Sequence, residues 1–380
     1  MSVEKGLSLA VAKALQSQGH TAVYAGGCVR DHLLGVEPKD YDIATSAEPE
    51  QVIEILEKSY KVIPVGMSFG VVRVVEGEHQ IEIATLRTEK GYTDGRRPDA
   101  VSFTRDLKED ASRRDFTINA MFMDPVTEQI HDFFNGQVDL ANRVIRPVGK
   151  ASVRFSEDYL RMMRAARFVA QLDAQLDPDI MHLMSELAPK IRIISSERQM
   201  DELSKIFKTH HAKQGIAILN MTGILSYMFP VTKISYARLQ KCPCNTSLEE
   251  GLSFILQDLP VDHVREVLKA SKCSTKTITE VQKSLEFVEY VRQGDHYSAY
   301  KVMCSLGRIP RLSHSSDTLK VTAHWPSSTS PRLVTGLLIQ SVRPDIKGVA
   351  MGDAIAKGAR AQYDGVISNQ EEAISWLKSL

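Results

Sequence analysis

The chain lacks most of the features that betray a protein's role from composition alone. Its 380 residues carry no net charge, with 47 Lys and Arg against 47 Asp and Glu, so no global field marks it for an acidic or a basic partner. No long apolar run occurs, and the N-terminus has only Glu4 and Lys5 before Lys13. That layout predicts a soluble, cytoplasmic protein with no signal peptide and no membrane partner. The five cysteines, Cys28, Cys242, Cys244, Cys273 and Cys304, are too scattered for a disulfide framework. Cys242-Pro243-Cys244 has no second Cys or His pair at zinc-binding spacing, and His210-His211 has no partner acids. The cysteines read as thiols in a reducing compartment. Internal repeats are also missing. A hydrophobic content of 43% over this length is enough for two or more compact units.

What is present is concentrated near the N-terminus. Ala22-Val23-Tyr24-Ala25 reads as a short buried strand. The pair Gly26-Gly27 then lets the backbone turn sharply and approach a ligand with no Cβ in the way. A helix beginning near Cys28 or Val29 turns its N–H groups toward that turn, a place for phosphate. Arg30 adds a forked, permanently charged donor. Ten residues on, Asp40-Tyr41-Asp42 reads as a strand with both carboxylates on one face, hard oxygen ligands that suit Mg²⁺ carrying a nucleoside triphosphate. A third acid belongs on a neighbouring strand. Gln80 to Arg87 alternates so that Glu82 opposes Ile81 and Ile83, which makes Glu82 either that acid or a surface-facing strand residue.

The pattern changes near residue 145. Up to there, β-rich runs at 61–65, 70–75, 81–86 and 100–103 alternate with helical periodicity at 5–18, 29–34 and 48–58. Beyond about 150 only helical spacing recurs, at 154–187, 197–226, 248–270, 277–293 and 349–363. The Ser/Pro-rich stretch Trp325 to Pro331 reads as a loop. The segment from Arg143 to Arg167 holds seven basic residues against Glu157 and Asp158, so it is able to face an anion. Two constellations carry further chemistry. In a helical reading of Asp106 to Ala120, Phe116 and Ile118 anchor the core while Arg113 and Arg114 project from the preceding turn, either toward a nucleotide or into ion pairs with Asp110 and Asp115. In Glu157 to Phe168, Asp158, Arg161, Arg164 and Arg167 recur every third residue and so form one slowly winding ridge along the helix. Three arginines to one acid leave charge over for a ligand.

Taken in order, Gly26-Gly27 with Arg30-Asp31, Asp40 with Asp42, Arg96-Arg97-Pro98, Arg113 to Ala120, Asp132 to Gly136 and Glu157-Asp158 with Arg161 resemble the class II tRNA nucleotidyltransferase and bacterial poly(A) polymerase family, most closely the CCA-adding enzymes. The resemblance is dense over residues 20–225 and thins beyond about 230. It implies an α+β chain: a polymerase-β-like head over 1–145, then an all-helical neck (146–205), body (206–293) and tail (294–380). It also implies template-independent addition of CCA to the 3′ end of tRNA from CTP and ATP, with release of pyrophosphate, by a monomer or weak homodimer. Asp40 and Asp42 would bind Mg²⁺, with Glu82 as a further catalytic acid. Gly27, Arg30, Arg114, Arg164 and Arg167 would contact the nucleotide, and Asp158 with Arg161 would read the edges of C and A. Thr85 to Pro98, including Arg87, Arg96 and Arg97, matches a flexible loop that switches C to A addition. Glu197, Arg198 and Glu202 match a motif taken as structural.

The chain shows only Leu256-Gln257-Asp258-Leu259 where some relatives carry a metal-dependent phosphohydrolase, so no hydrolase activity is expected. CC-only, A-only and poly(A)-adding enzymes share nearly every motif. Against them stand Val65 to Gly70, which lacks an arginine-rich strand entry, and a loop that is not visibly shortened. A catalytically idle RNA-binding protein on the same head is the remaining reading, and the intact Asp40 and Asp42 argue against it.

Overall fold

Short strands and short amphipathic helices alternate through the first 145 residues because the apolar period switches repeatedly between two and about 3.6. The structure, a computed structural model, describes residues 3–92, 95, 98–231, 233–310 and 332–380. Arg96, Arg97 and the Trp325 to Pro331 stretch therefore lie outside the described residues. Chain contacts separate a first unit, Met1–Gln240, from a second, Lys241–Leu380. The four-part division expected from the resemblance is finer than this partition.

In the first unit, α1 (Val3–Ser17), β1 (Ala22–Ala25), α2 (Gly27–Leu33), β2 (Ile43–Thr45) and α3 (Pro49–Leu56) are followed by β3 (Lys61–Gly66), β4 (Val71–Glu76) and β5 (His79–Thr85). A hairpin of β6 (Arg87–Lys90) and β7 (Ala100–Phe103), then α4 (Leu107–Ser112), β8 (Met121–Met123) and β9 (Ile130–Asp132) complete the sheet region. The main sheet runs β3-β4-β5-β2-β1-β8-β9, with β2 and β5 parallel and the other neighbours antiparallel. Val72 faces Ile83 and Val74 faces Ile81 across β4 and β5, all four buried, and α1 and α3 pack against these strands. On the alternate positions Arg73 opposes Glu82. Val23 and Ala25 of β1 join Ala44, Leu86, Ala111, Ala120 and Phe122 in one core cluster. Tyr24, between them, turns the other way and hydrogen-bonds Ser8 of α1 at 2.8 Å. α3 begins with Pro49 and a reciprocal box between Glu48 and Gln51, a local signal that starts the helix where the sequence places it.

Next come α5 (Gly136–Ala141), β10 (Val144–Ile145), α6 (Ala151–Glu157), α7 (Leu160–Leu172) and β11 (Gln175–Leu176). They are followed by α8 (Pro178–Leu187), α9 (Ser196–Phe207), α10 (Ala212–Met221), α11 (Ile224–Met228) and α12 (Tyr236–Leu239). α7 is the hub: Leu160, Met162, Met163, Ala165, Ala166, Phe168, Val169 and Ala170 are buried, and it packs on α9 and α10. Gly215 permits the second contact, since a Cβ there would stand 2.8 Å from the Ala166 carbonyl oxygen.

Four expectations need correction. Asp40 and Asp42 precede β2, which starts at Ile43. Phe116 and Ile118 are buried, but in a 3₁₀ turn at Thr117–Asn119 rather than an α-helix. A strand does occur after residue 150, the two-residue β11 paired with β10. The ridge is not one helix: Asp158 is extended (φ −148°, ψ 105°), in a break between α6 and α7.

The second unit is helical among its described residues: Leu248–Leu256, Val261–Ala270, Thr275–Gln293, His296–Leu306, Gly336–Val342, Val349–Tyr363 and Gln370–Lys378. Separate cores form around Phe287, Tyr300 and Met303 and around Val334, Ile339 and Leu377. No helix among the described residues is long and apolar enough to cross a membrane.

Candidate active site

The turn after β1 opens a cleft of about 680 Å³ within the first unit, well inside the size range of small-ligand sites. Gly26 stands at φ 71°, and a Cβ there would meet Arg114 Nη1 at 3.0 Å. Backbone sign and crowding both demand glycine. Among the described residues, eight arginines line the cleft (Arg30, Arg87, Arg113, Arg114, Arg161, Arg164, Arg167 and Arg198) against five carboxylates, Asp42, Glu82, Glu89, Asp115 and Asp158. The lining contains no lysine, so each cation is a planar fork suited to phosphate and base edges.

The carboxylate end is built by β2 and β5. Their parallel register pairs Ile43 with Ile83, and one step further back lie Asp42 and Glu82. Tyr41 is buried against Tyr24, ring centroids 5.2 Å apart, while Asp40 and Asp42 on either side are exposed. The alternation expected of a strand thus survives just ahead of it, extended by a hydrogen bond from Ala25 N–H to the Asp42 carbonyl at 3.0 Å. Surrounding protein, then Glu82, then Asp40 push the Asp42 carboxyl up to about 6, with Arg114 opposing. A carboxylate raised in this way by acidic neighbours attracts a cation. Among the described residues no group of three or more His, Cys, Asp or Glu side chains is arranged to hold a metal ion.

The arginines are held by carboxylates, some of them near in sequence and some remote. Arg30, 6% exposed, donates Nε and Nη2 to Asp31 Oδ1 (2.9 and 2.7 Å) and Nη1 to Asn119 Oδ1 (2.8 Å). Arg113 and Arg114 each grip one oxygen of buried Asp110, at 2.7 and 3.0 Å. Burial pushes Asp110 up, but Arg114 and Arg113 outweigh it and hold the carboxyl below its ordinary value. Glu89 of β6 accepts from Arg87 (2.7 Å), Arg113 (3.2 Å) and the Tyr92 hydroxyl.

Deeper in, Arg164 donates two bonds to Asp115 Oδ2, 2.8 and 2.5 Å. Despite burial, which raises it, Asp115 is lowered to about 2, chiefly by Arg164. Arg167 bonds Glu202 at 2.6 Å. Arg161 donates to Glu157 (2.6 Å) and to the carbonyls of Arg154 (2.9 Å) and Arg113 (3.4 Å).

Of the residues singled out from sequence, Gly27, Arg30, Asp42, Glu82, Arg87, Arg114, Asp158, Arg161, Arg164 and Arg167 share this cleft, and Asp40 stands beside it. Asp158 and Arg161 do not pair through their side chains. Asp158 caps α7 through Leu160 N–H at 3.0 Å and binds Arg198 Nη2 at 2.7 Å. Arg198, taken from sequence as structural, therefore lines the site, as do Glu89, Asn119, Asp115 and Phe168. The one sequence signal for them was proximity of Asp115 and Asn119 to the paired arginines. Arg198 lies 40 residues from its partner, beyond any local pattern.

A phosphate-sized turn, a carboxylate pair and an arginine-lined wall on this sheet define a nucleotidyltransferase. The chain matches the poly A polymerase head domain over residues 22–146 and the probable RNA and SrmB-binding site of polymerase A over residues 174–235. It is 33% identical to the CCA-adding enzyme of Enterococcus faecalis over 96% of this chain and 93% of that protein. Against the Staphylococcus epidermidis CCA-adding enzyme, identity is 38% over 70% of this chain and 66% of that one. The solved Bacillus stearothermophilus CCA-adding enzyme in complex with CTP is 29% identical, with a TM-score of 0.72 and coverage of 100% and 98%. The chain belongs to the CCA-adding enzyme family.

Proposed function

We propose that the chain adds C, C and A in turn to the 3′ end of tRNA, using CTP and ATP without a nucleic-acid template. The observation that carries this reading is one cleft shared by the neighbouring acids Asp42 and Glu82 and, among the described residues, eight arginines. The tRNA 3′ hydroxyl attacks the α-phosphate and pyrophosphate departs. The reaction is metal-dependent, and Asp40 and Asp42, with Glu82 as the further acid, would hold Mg²⁺. Bound there, Mg²⁺ would neutralise triphosphate charge and favour ionisation of the attacking hydroxyl. Gly27 lets the backbone approach the phosphates, while Arg30, Arg114, Arg164 and Arg167 orient and neutralise them.

Base choice falls to Asp158 and Arg161. The carboxylate accepts from the exocyclic amine of C or A, and the guanidinium donates to ring nitrogen or carbonyl. U and G leave these groups unpaired, and that penalty is the source of large selectivity. Arg198 on Asp158 and Glu157 on Arg161 hold both groups before the base arrives. The loop joining β6 to β7 sets the switch from C to A. A monomer or weak homodimer in the cytoplasm is sufficient for this chemistry.

The test is incubation with tRNA lacking its 3′ end, with each nucleotide separately and then together, followed by sequencing of the products. CTP alone should yield CC and CTP with ATP should yield CCA. Products ending at CC, bearing only A, or carrying a poly(A) tract would refute the reading.

A further inference from the structure

Three arginines from two parts of the first unit surround one aromatic ring. The guanidinium carbon of Arg167 lies 4.0 Å from the centroid of Phe168, that of Arg30 lies 5.5 Å away and that of Arg164 lies 5.6 Å away. Arg30 comes from α2, directly after the glycine turn, whereas Arg164, Arg167 and Phe168 belong to α7. Phe168 is 3% exposed, borders the cleft, and is braced from behind by Phe116, edge-on at 5.5 Å and 75°.

Three like charges gathered here need compensation, and three carboxylates supply it one to one. Asp31, Asp115 and Glu202 each hold one side of one guanidinium. Arg164 Nη1 has only Glu202 Oε1 at 3.9 Å, beyond hydrogen-bond reach, and so keeps donor capacity toward the cleft. The acids fix the in-plane direction of each fork but leave its tilt open. An aromatic face constrains tilt, because the negative quadrupole attracts the flat cation and excludes water from one side of it.

We propose that Phe168 is a positioning residue for the nucleoside triphosphate: its ring sets the spacing and tilt of Arg30, Arg164 and Arg167, so that a helix-borne pair and a turn-borne arginine meet one polyphosphate together. The proposal rests on the placement of those arginines against the triphosphate given above. It makes Phe168 act through electrostatics of the ring rather than through its bulk.

The experiment replaces Phe168 in the full chain with 4-fluoro-, 3,5-difluoro- and 3,4,5-trifluorophenylalanine, which drain the ring's negative face at nearly constant shape, alongside Phe168→Leu and Arg167→Ala. Initial rates with tRNA lacking its 3′ end give KM and kcat for CTP and ATP, and thermal unfolding reports folding. KM should rise stepwise with fluorine count at unchanged Tm and nearly unchanged kcat, reaching roughly 3- to 30-fold in Phe168→Leu. A raised KM in Arg167→Ala with a flat fluorine series overturns the proposal alone. An unchanged KM in Arg167→Ala removes the arginines from the triphosphate, and the proposal falls with that reading.

Discussion

Replacing Asp115 by asparagine keeps the shape of the side chain and an acceptor for the Phe116 N–H, and replaces the charged acceptor that faces Arg164 by an amide donor. In the folded protein the Asp115 carboxyl is lowered from 3.8 to about 2, against burial and chiefly by Arg164. That change corresponds to about 2.5 kcal/mol of preference for the ionised form. The raised Arg164 reports the same contact from its other side and is not added. Arg164 retains Glu202 at 3.9 Å and its side chain is 33% exposed, so the variant should lose about 2–3 kcal/mol, at or below the low end of the range for breaking a fully buried ion pair. For a unit of this size the Tm should fall by roughly 5–10 °C at pH 7. An acid depressed by folding contributes fully above its unfolded value of 3.8 and less as pH falls toward 2. The stability difference between parent and variant should therefore shrink to about half by pH 3. Urea titrations from pH 7 to pH 3 measure it. A difference below about 0.5 kcal/mol at pH 7, or one that stays constant down to pH 3, would show that Asp115 and Arg164 are not a charge-coupled pair.

Asp42→Asn should abolish nucleotide transfer with tRNA binding retained. Because folding raises this acid to about 6, the metal-free parent should lose stability as pH rises from about 4 to about 6; the variant should not, and Mg²⁺ should raise the Tm of the parent alone. Substantial residual transfer would remove Asp42 from the metal site. Asp158→Ala should relax kcat/KM selectivity among the four nucleotides more than it weakens triphosphate binding, and Arg198→Ala should relax it less; unchanged selectivity in Asp158→Ala refutes the base-reading role. Deleting part of 88–95 should halt extension after CC, and continued A addition on product gels would count against the loop.

The arrangement of these residues was legible in the sequence wherever the controlling interaction is local. The glycine turn, the start of α3 at Pro49 and the alternation around Tyr41 follow from backbone sterics and near-neighbour hydrogen bonds, which a short window records. Motif order over residues 20–225 carried the family, and with it the expectation of a head followed by helices. The break between α6 and α7 was missed because three-residue spacing looks alike in one helix and in two. Only the extended backbone at Asp158 separates them.

Sequence by itself therefore determined which side chains are available: the carboxylates beside the glycine turn, the paired arginines and the basic run that follows. Tertiary structure decided the pairings. Arg161 belongs to Glu157 rather than Asp158, Asp158 to Arg198, Arg164 to Asp115, and Arg30 to the ring of Phe168. Three of these four join residues 40 or more positions apart, brought together only in the folded first unit, where α7 packs on α9. Local periodicity cannot encode such contacts, because the charge a buried arginine meets depends on which distant surfaces exclude water around it.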